Sequence, residues 1–392
     1  MERIGIYGGT FNPPHLGHIR AARSAVDSFG LSKLLMIPSC VPPHKQQPQN
    51  APTPEQRLEM VQAAIRKDEK IQVSDIELRR GGVSFTYETV GQLRLEYPET
   101  ELVLLMGTDM FLSFDQWREP AKILQNASLG VFYRGEKGER EAILAQKEKL
   151  ESIGAKVYLA ENQVTEISST DLRRMLILDC AEGYLAPETA AYIRESNLYG
   201  VAKCYQNLSE EELEAVVVSL LKPSRVAHVL GCRQEAVKMA AFWGADETDA
   251  ARAAILHDVT KALDGFLQLE LCKAYGVTLS DFSRQNPKTL HALTGSLVAE
   301  RIFGENKAVV EAVRWHTTGK ADMTLLEKII YVADYMEPNR DFPGVEKLRT
   351  LAYSDLDAAL RCGLEMTLDM LRKQKKEISK ESAEALRFLS NK

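Results

Sequence analysis

Short apolar runs alternate with helical periodicities through the first half of the chain. RIGIY (3–7), KLLMIP (33–38), IQVSDIEL (71–78), ELVLLMG (101–107), SLGVFY (128–133) and AKVYLA (155–160) read as strands. Strands that recur between helical segments predict a parallel sheet covered by helices on both faces. One of those helices lies in TPEQRLEMVQAAIR, with Thr53 as its N-cap and Pro54 at its first helical position. Near residues 200–206 the rhythm changes. Ser209, followed by acidic residues, opens a new helix, and from there to Lys392 nearly every segment has helical periodicity, as in DETDAARAAILHDVTKAL and TLLEKIIYVADYME. The pattern predicts an α/β domain with a doubly wound parallel sheet over residues 1–203, followed by an all-α helical bundle over 204–392.

Length agrees with that division, since 392 residues at roughly 150 per domain make two or three units. Composition is that of an ordinary globular protein, 45% apolar and 27% charged, without repeats or low-complexity tracts. Apolar runs are a few residues long, far short of the ~20 needed to span a bilayer. A strand begins at once at the N-terminus, so nothing there reads as a signal peptide. The six cysteines, Cys40, Cys180, Cys204, Cys232, Cys272 and Cys362, lack C-x-x-C spacing. Free thiols in a reducing cytoplasm are the expectation, with neither a disulfide framework nor a thiolate zinc site. A net charge of −6 argues against a nucleic-acid binder.

Seven histidines are spread over this chain, and two of them, His15 and His18, follow a Gly-Gly pair in GGTFNPPHLGHIRAA (8–22). A glycine turn between strand and helix lets backbone N–H groups approach an anion, and the helix N-terminus favours negative charge. Residues at i and i+3 share one face, so both imidazoles can reach one phosphate. A second such start lies in EISSTDLRR (166–174), where Ser168 and Asp171 have capping-box spacing and Ser169, Thr170 and Arg173 line the positive helix end. Two phosphate-friendly helix starts at strand carboxyl ends face one crevice in a doubly wound sheet.

GGTFNPPHLGH and ISSTDLRR resemble the two signature motifs of nicotinate-nucleotide adenylyltransferases, within the H-x-G-H nucleotidyltransferase family. PPHK (42–45), SFTYET (84–89) and MGTDMFLSFDQW (106–117) follow in the family's order. The resemblance implies a Rossmann-like fold and transfer of AMP from ATP to nicotinate mononucleotide with release of pyrophosphate. In-line attack on phosphorus needs positioning and charge neutralisation more than a nucleophilic side chain. By resemblance, His15 and His18 hold the ATP phosphates and stabilise the transition state, and Gly8, Gly9 and Thr10 guide the incoming nucleotide. Ser168, Ser169, Thr170 and Arg173 hold the outer phosphates, and Gly107 and Asp109 touch adenosine. His44 and Lys45 meet the mononucleotide, Thr86 and Tyr87 read its carboxylate, and Trp117 stacks on its pyridine ring. Arg134 is a further phosphate-binding candidate. Mg²⁺ is expected with ATP, because two like-charged phosphates must meet.

In the second half, His228, His257, His291 and His316 each fall inside an otherwise apolar segment, with Asp258 beside His257 and Asp334 flanked by apolar residues. Buried carboxylates are rare unless paired or metal-bound, and such a set converging in a helical bundle points to a metal site. The spread H…HD…H…H…D resembles the HD-domain metal-dependent phosphohydrolases, and SRVAHVLGC, LHDVTK and ADYMEPNRDFPGVEKLR are similar to bacterial symmetrical diadenosine tetraphosphate hydrolases. Imidazole and carboxylate without thiolate suit iron, manganese or zinc. Six ligands exceed the need of one catalytic ion, so two ions bridged by Asp258 are expected, iron foremost. Lys261 and Arg340 are candidate phosphate binders, Lys261 close to the chemistry.

These readings make a bifunctional enzyme with small-molecule partners: ATP, nicotinate mononucleotide and diadenosine tetraphosphate. Another phosphate-bearing acceptor such as phosphopantetheine in the first half, or other nucleotides or a non-catalytic sensing role in the second, are the alternatives. Oligomeric state stays open, a homo-oligomer included.

Overall fold

The computed structural model describes residues 2–43, 51–133, 138–161, 167–201 and 203–391. It divides into two compact units, Met1–Ala202 and Lys203–Lys392. In the first, six strands form one parallel sheet: β1 (Arg3–Gly9), β2 (Lys33–Pro38), β3 (Ile71–Val73), β4 (Glu101–Gly107), β5 (Ser128–Tyr133) and β6 (Val157–Glu161). Their order is β3-β2-β1-β4-β5-β6. Strands in such a sheet are buried on both faces, which is why they read as apolar runs. Ile4, Ile6, Leu35, Ile37 and Leu104 pack into one core with Val90, Leu93, Phe111 and Phe114. Leu34, Met36, Val103 and Leu105 face the other way, against Ile19, Ala22, Val61 and Ile65. The chain leaves β1 toward β2 and leaves β4 toward β5, so the switch point that opens a crevice at strand carboxyl ends lies between β1 and β4.

Two expectations need correction. The strand expected over IQVSDIEL stops at Val73, and Ile76–Arg80 is a short helix. Local turn chemistry outweighs the alternating pattern: the Ser74 hydroxyl accepts the Ile76 N–H at 3.4 Å, and Ile76 still reaches the sheet's core. The glycines Gly8 and Gly9, expected to form a turn, are the last residues of β1, paired with Ile37 and Pro38. The turn proper follows them.

Every regular element among the described residues of the second unit is a helix. Ser209 caps its first helix, Glu210–Leu220, by accepting the Glu212 N–H. The long helix Pro223–Trp243 ends at Gly244, which sits at φ 74 where a side chain would be strained. Ala250, Ala251, Ala253 and Ala254 of the next helix, Glu247–Leu256, are all buried, and such small residues let neighbouring backbones approach closely. Among the described residues no helix is long and apolar enough to cross a membrane.

Candidate active sites

β1 delivers the first site. A Cβ at Gly9 would meet the Phe11 ring at 2.9 Å, whereas at Gly8 it would meet nothing within 4 Å, so open space lies beside the strand end. The chain then turns through Thr10–Pro14 to His15, the N-cap of helix Leu16–Ser28. The His15 and His18 rings lie 3.6 Å apart between centroids and 31° from parallel. His18 Nδ1 accepts the His15 backbone N–H at 3.1 Å. That bond places the ring proton of neutral His18 on Nε2, the donor it can offer a phosphate oxygen.

The second motif joins the first here. Ser168 caps helix Ser169–Ile177 by accepting the Asp171 N–H. Ser169 donates to the Pro13 carbonyl at 3.1 Å, and Arg173 donates to the Asn12 carbonyl at 2.7 Å and to Thr170 Oγ1 at 3.1 Å. Residues from opposite ends of the unit thus converge on the loop after β1. Gly107 ends β4, the neighbouring strand, and Asp109 lies in the first turn of helix Thr108–Leu112. Thr86 and Tyr87 open helix Thr86–Glu96. That segment is tied to the end of β2, because Ser84 Oγ accepts the Cys40 N–H at 2.9 Å. Trp117 is half-buried, its ring tilted over Phe114 at 5.4 Å, so it closes the core beneath it. His44, Lys45 and Arg134 lie outside the described residues.

Sequence reasoning missed two residues that shape this loop. Arg57 is fully buried, and its guanidinium donates to the carbonyls of Thr10 at 2.9 Å, Ser39 at 2.6 Å and Cys40 at 3.0 Å. It therefore ties the loop after β1 to the end of β2. The signal was present, since Arg57 shares the apolar stripe of Met60, Val61 and Ile65. Tyr199, at φ 56, donates to Asn12 Oδ1 at 2.6 Å from a segment with no motif character.

Burial pushes His15 down to about 4. An unfolded histidine titrates near 6.5, so between those pH values the unfolded chain binds more protons and stability falls as pH falls. Above about pH 7 the effect is absent. Replacing His15 by Asn puts a favoured N-cap residue in its place and removes the titration. Relative to His15→Asn, the wild type is expected to lose up to about 3 kcal/mol on acidification from pH 6.5 to 4. Denaturant unfolding of both proteins across that range checks this; parallel curves would contradict it.

The second site draws on five helical elements. His228 lies in Pro223–Trp243, His257 ends Glu247–Leu256 with Asp258 next to it, His291 lies in Leu290–Arg301, His316 ends Lys307–Trp315, and Asp334 lies in Leu325–Met336. All four histidines and Asp258 are buried. His257, His291 and His316 place Nδ1 on the carbonyl three residues earlier, Ala254, Lys288 and Val313, at 2.7, 2.9 and 2.7 Å. A carbonyl only accepts, so Nδ1 carries the proton and Nε2 turns inward as a lone pair.

Asp258 divides the cluster. Its Oδ2 lies 3.8 Å from His228 Nε2 and 3.5 Å from His257 Nε2, while Oδ1 lies 3.5 Å from His291 Nε2 and 3.9 Å from His316 Nε2. Within each histidine pair the Nε2 atoms are 3.2 Å apart. Asp334 Oδ1 joins the first pair, 3.0 Å from His228 Nε2. Two potential ligand groups result, His228-His257-Asp258 and Asp258-His291-His316, with Asp258 common to both. Facing lone pairs at this distance repel unless a proton or cation lies between them, and Asp258 Oδ1 is buried without a hydrogen bond. The donor set therefore fits divalent metal ions. Burial holds His291 at about 3 and His316 at about 4, in the neutral form that binds metal. Burial opposes ionisation of Asp258, but the imidazole of His257 beside it, with His291 and the Lys261 ammonium, holds its carboxyl well below the usual carboxylate range.

Three cations rim the cluster. Lys261 Nζ donates to His291 Nε2 at 2.9 Å, Arg340 pairs with Asp334 at 3.0 Å, and Arg225 pairs with Asp258 Oδ2. Arg225 was missed in the sequence although it lies three residues before His228, on the same helix face.

A six-stranded parallel sheet with its nucleotide-type loops at the switch point, followed by a helical His/Asp cluster, defines a nucleotidyltransferase joined to an HD domain. The Cytidylyltransferase-like family matches residues 6–175 and the HD domain family residues 225–339. The probable nicotinate-nucleotide adenylyltransferase of Exiguobacterium sibiricum is 34% identical over 198 residues, covering 50% of this chain and 98% of the relative. That of Borrelia garinii subsp. bavariensis is 32% identical over 198 residues, covering 50% and 94%. A crystal structure described as a predicted HD superfamily hydrolase involved in NAD metabolism, from Clostridium acetobutylicum, is 35% identical, covers 47% of this chain and 99% of that one, and has a TM-score of 0.46. Through its first half the chain belongs to the nicotinate-nucleotide adenylyltransferase family, and its second half contains an HD domain.

Proposed function

We propose that the chain carries two nucleotide activities. The first unit transfers AMP from ATP to nicotinate mononucleotide. An oxygen of the mononucleotide phosphate attacks the α-phosphorus of ATP, the bond to the bridging oxygen of the β-phosphate breaks, and pyrophosphate leaves. His18 Nε2–H and His15 meet the phosphates above Gly8 and Gly9, and the start of the helix capped by Ser168, with Ser169, Thr170 and Arg173, receives the departing pyrophosphate. Gly107 and Asp109 take adenosine. Thr10, Thr86, Tyr87 and Trp117 take the nicotinate nucleotide, with His44 and Lys45 assigned to its phosphate side and Arg134 to a further phosphate contact. Mg²⁺ enters with ATP. Family membership and the junction of Arg173 and Ser169 with the loop after β1 support this reading.

The second unit hydrolyses a phosphoanhydride, with diadenosine tetraphosphate cut symmetrically to two ADP as the proposed reaction. His228, His257, Asp258 and Asp334 would hold one ion and Asp258, His291 and His316 the other, iron foremost, with manganese or zinc as alternatives. When bound, such ions polarise phosphoryl oxygens and activate water. Arg225, Lys261 and Arg340 then hold the substrate's phosphates, their charge suiting a polyanion. The single observation that carries the reading is the convergence of four inward Nε2 atoms on the two oxygens of Asp258. Chromatography of the products tests both halves. ATP and nicotinate mononucleotide should give nicotinate adenine dinucleotide and pyrophosphate in equal amounts, and diadenosine tetraphosphate should give ADP alone. ATP with AMP, or no turnover, would refute the proposed hydrolysis.

A further inference from the structure

His228 is oriented differently from the other three histidines. Its Nδ1 faces a carboxylate, Glu337 Oε1, at 3.1 Å, where the others meet a backbone carbonyl. Glu337 is only 1% exposed, and the nearest guanidinium, Arg340, stands 4.0 Å away. Burying a carboxylate without a close ion pair costs several kcal/mol, so the position calls for an explanation. The surrounding chain is built around it. Glu337 Oε2 accepts the Asn339 backbone N–H at 2.7 Å and Asn339 Nδ2 at 2.8 Å, and Nδ2 also reaches the Ala227 carbonyl at 2.9 Å. Arg349 fastens the segment from outside through the carbonyls of Met336, Glu337 and Arg340. Gly231 supplies an independent sign. It interrupts a 21-residue helix, at a cost of about 1 kcal/mol against alanine. A Cβ there would fall on Glu337 Oε2 and lie 2.8 Å from Asn339 Nδ2.

We infer that Glu337 is a positioning residue for the metal ligand His228, and that Gly231 is glycine to admit it. The inference rests on the metal-binding reading of the cluster. A carboxylate on Nδ1–H fixes the ring's tautomer and orientation and raises the basicity of Nε2. Only the group formed by His228, His257 and Asp258 has this support, so that group holds its ion more tightly than the group of His291 and His316.

The test is equilibrium dialysis of the metal-stripped full chain against Mn²⁺, with metal counted per chain. Wild type is expected to fill in two steps, and Glu337→Gln to weaken the tighter step by about 10–100-fold while leaving the weaker one. In a His228→Ala background the same change should have no further effect, which separates action through His228 from general loosening. Gly231→Ala, which displaces the carboxylate without altering it, should reproduce the selective loss and serves if Glu337→Gln fails to fold. The inference is overturned if Glu337→Gln binds within twofold of wild type, if the loss is equal in the His228→Ala background, or if the weaker step alone is affected. Wild type that binds no Mn²⁺ would overturn the metal reading as well.

Discussion

Asp258→Ala is expected to empty the HD-domain site and abolish phosphohydrolysis while adenylyl transfer survives. Asp258 is the one residue common to both potential ligand groups, so its loss removes an anionic ligand from each at once. It also leaves four buried imidazoles to face one another with one carboxylate fewer. Loss of a terminal ligand such as His316 removes a neutral donor from one group only, and one ion should then remain. The first unit has its own core, and domains with separate cores fold separately. Elemental analysis and both assays on one preparation check the outcome. Undiminished metal in Asp258→Ala would refute a shared ligand, and loss of both activities would show that the units depend on each other for folding.

His18→Ala carries the second largest effect, on the other half. The backbone N–H of His15 fixes the His18 tautomer, so Nε2–H is presented as a preset donor. Removing one such donor to a developing negative charge typically costs on the order of 10²–10³ in rate. The loss should fall on kcat for adenylyl transfer, with hydrolysis by the second unit unchanged. Near-normal turnover with saturating ATP would remove His18 from the chemistry.

The sheet was legible because parallel strands bury both faces and therefore appear as apolar runs. Where turn-forming residues competed with that rhythm, at Ser74 and Asp75, the strand was read too long. The His/Asp cluster was legible for a different reason: imidazoles and a carboxylate in apolar helices need partners, and few chemistries supply them. Arg57 carried the same sign on its apolar stripe, but the partners of Arg57, Tyr199 and Glu337 were not legible in this way. Arg57 binds carbonyls, Tyr199 an asparagine carbonyl and Glu337 a histidine ring, at distances along the chain of 17 to 187 residues. No spacing rule records such contacts. Gly231 was equally silent, because the reason for a missing side chain lies in whatever fills the space.

One chain is expected to join an adenylyl-transfer site to a metal-dependent hydrolytic site, and that pairing is open to a direct experiment. Its most direct test strips metal from the purified full chain with a chelator, removes the chelator, restores Mg²⁺, and assays both reactions before and after anaerobic reloading with Fe²⁺. Nicotinate adenine dinucleotide formation should return with Mg²⁺ alone, and ADP formation from diadenosine tetraphosphate only after Fe²⁺ is added. Hydrolysis that persists in the stripped protein, or adenylyl transfer that needs Fe²⁺, would contradict it.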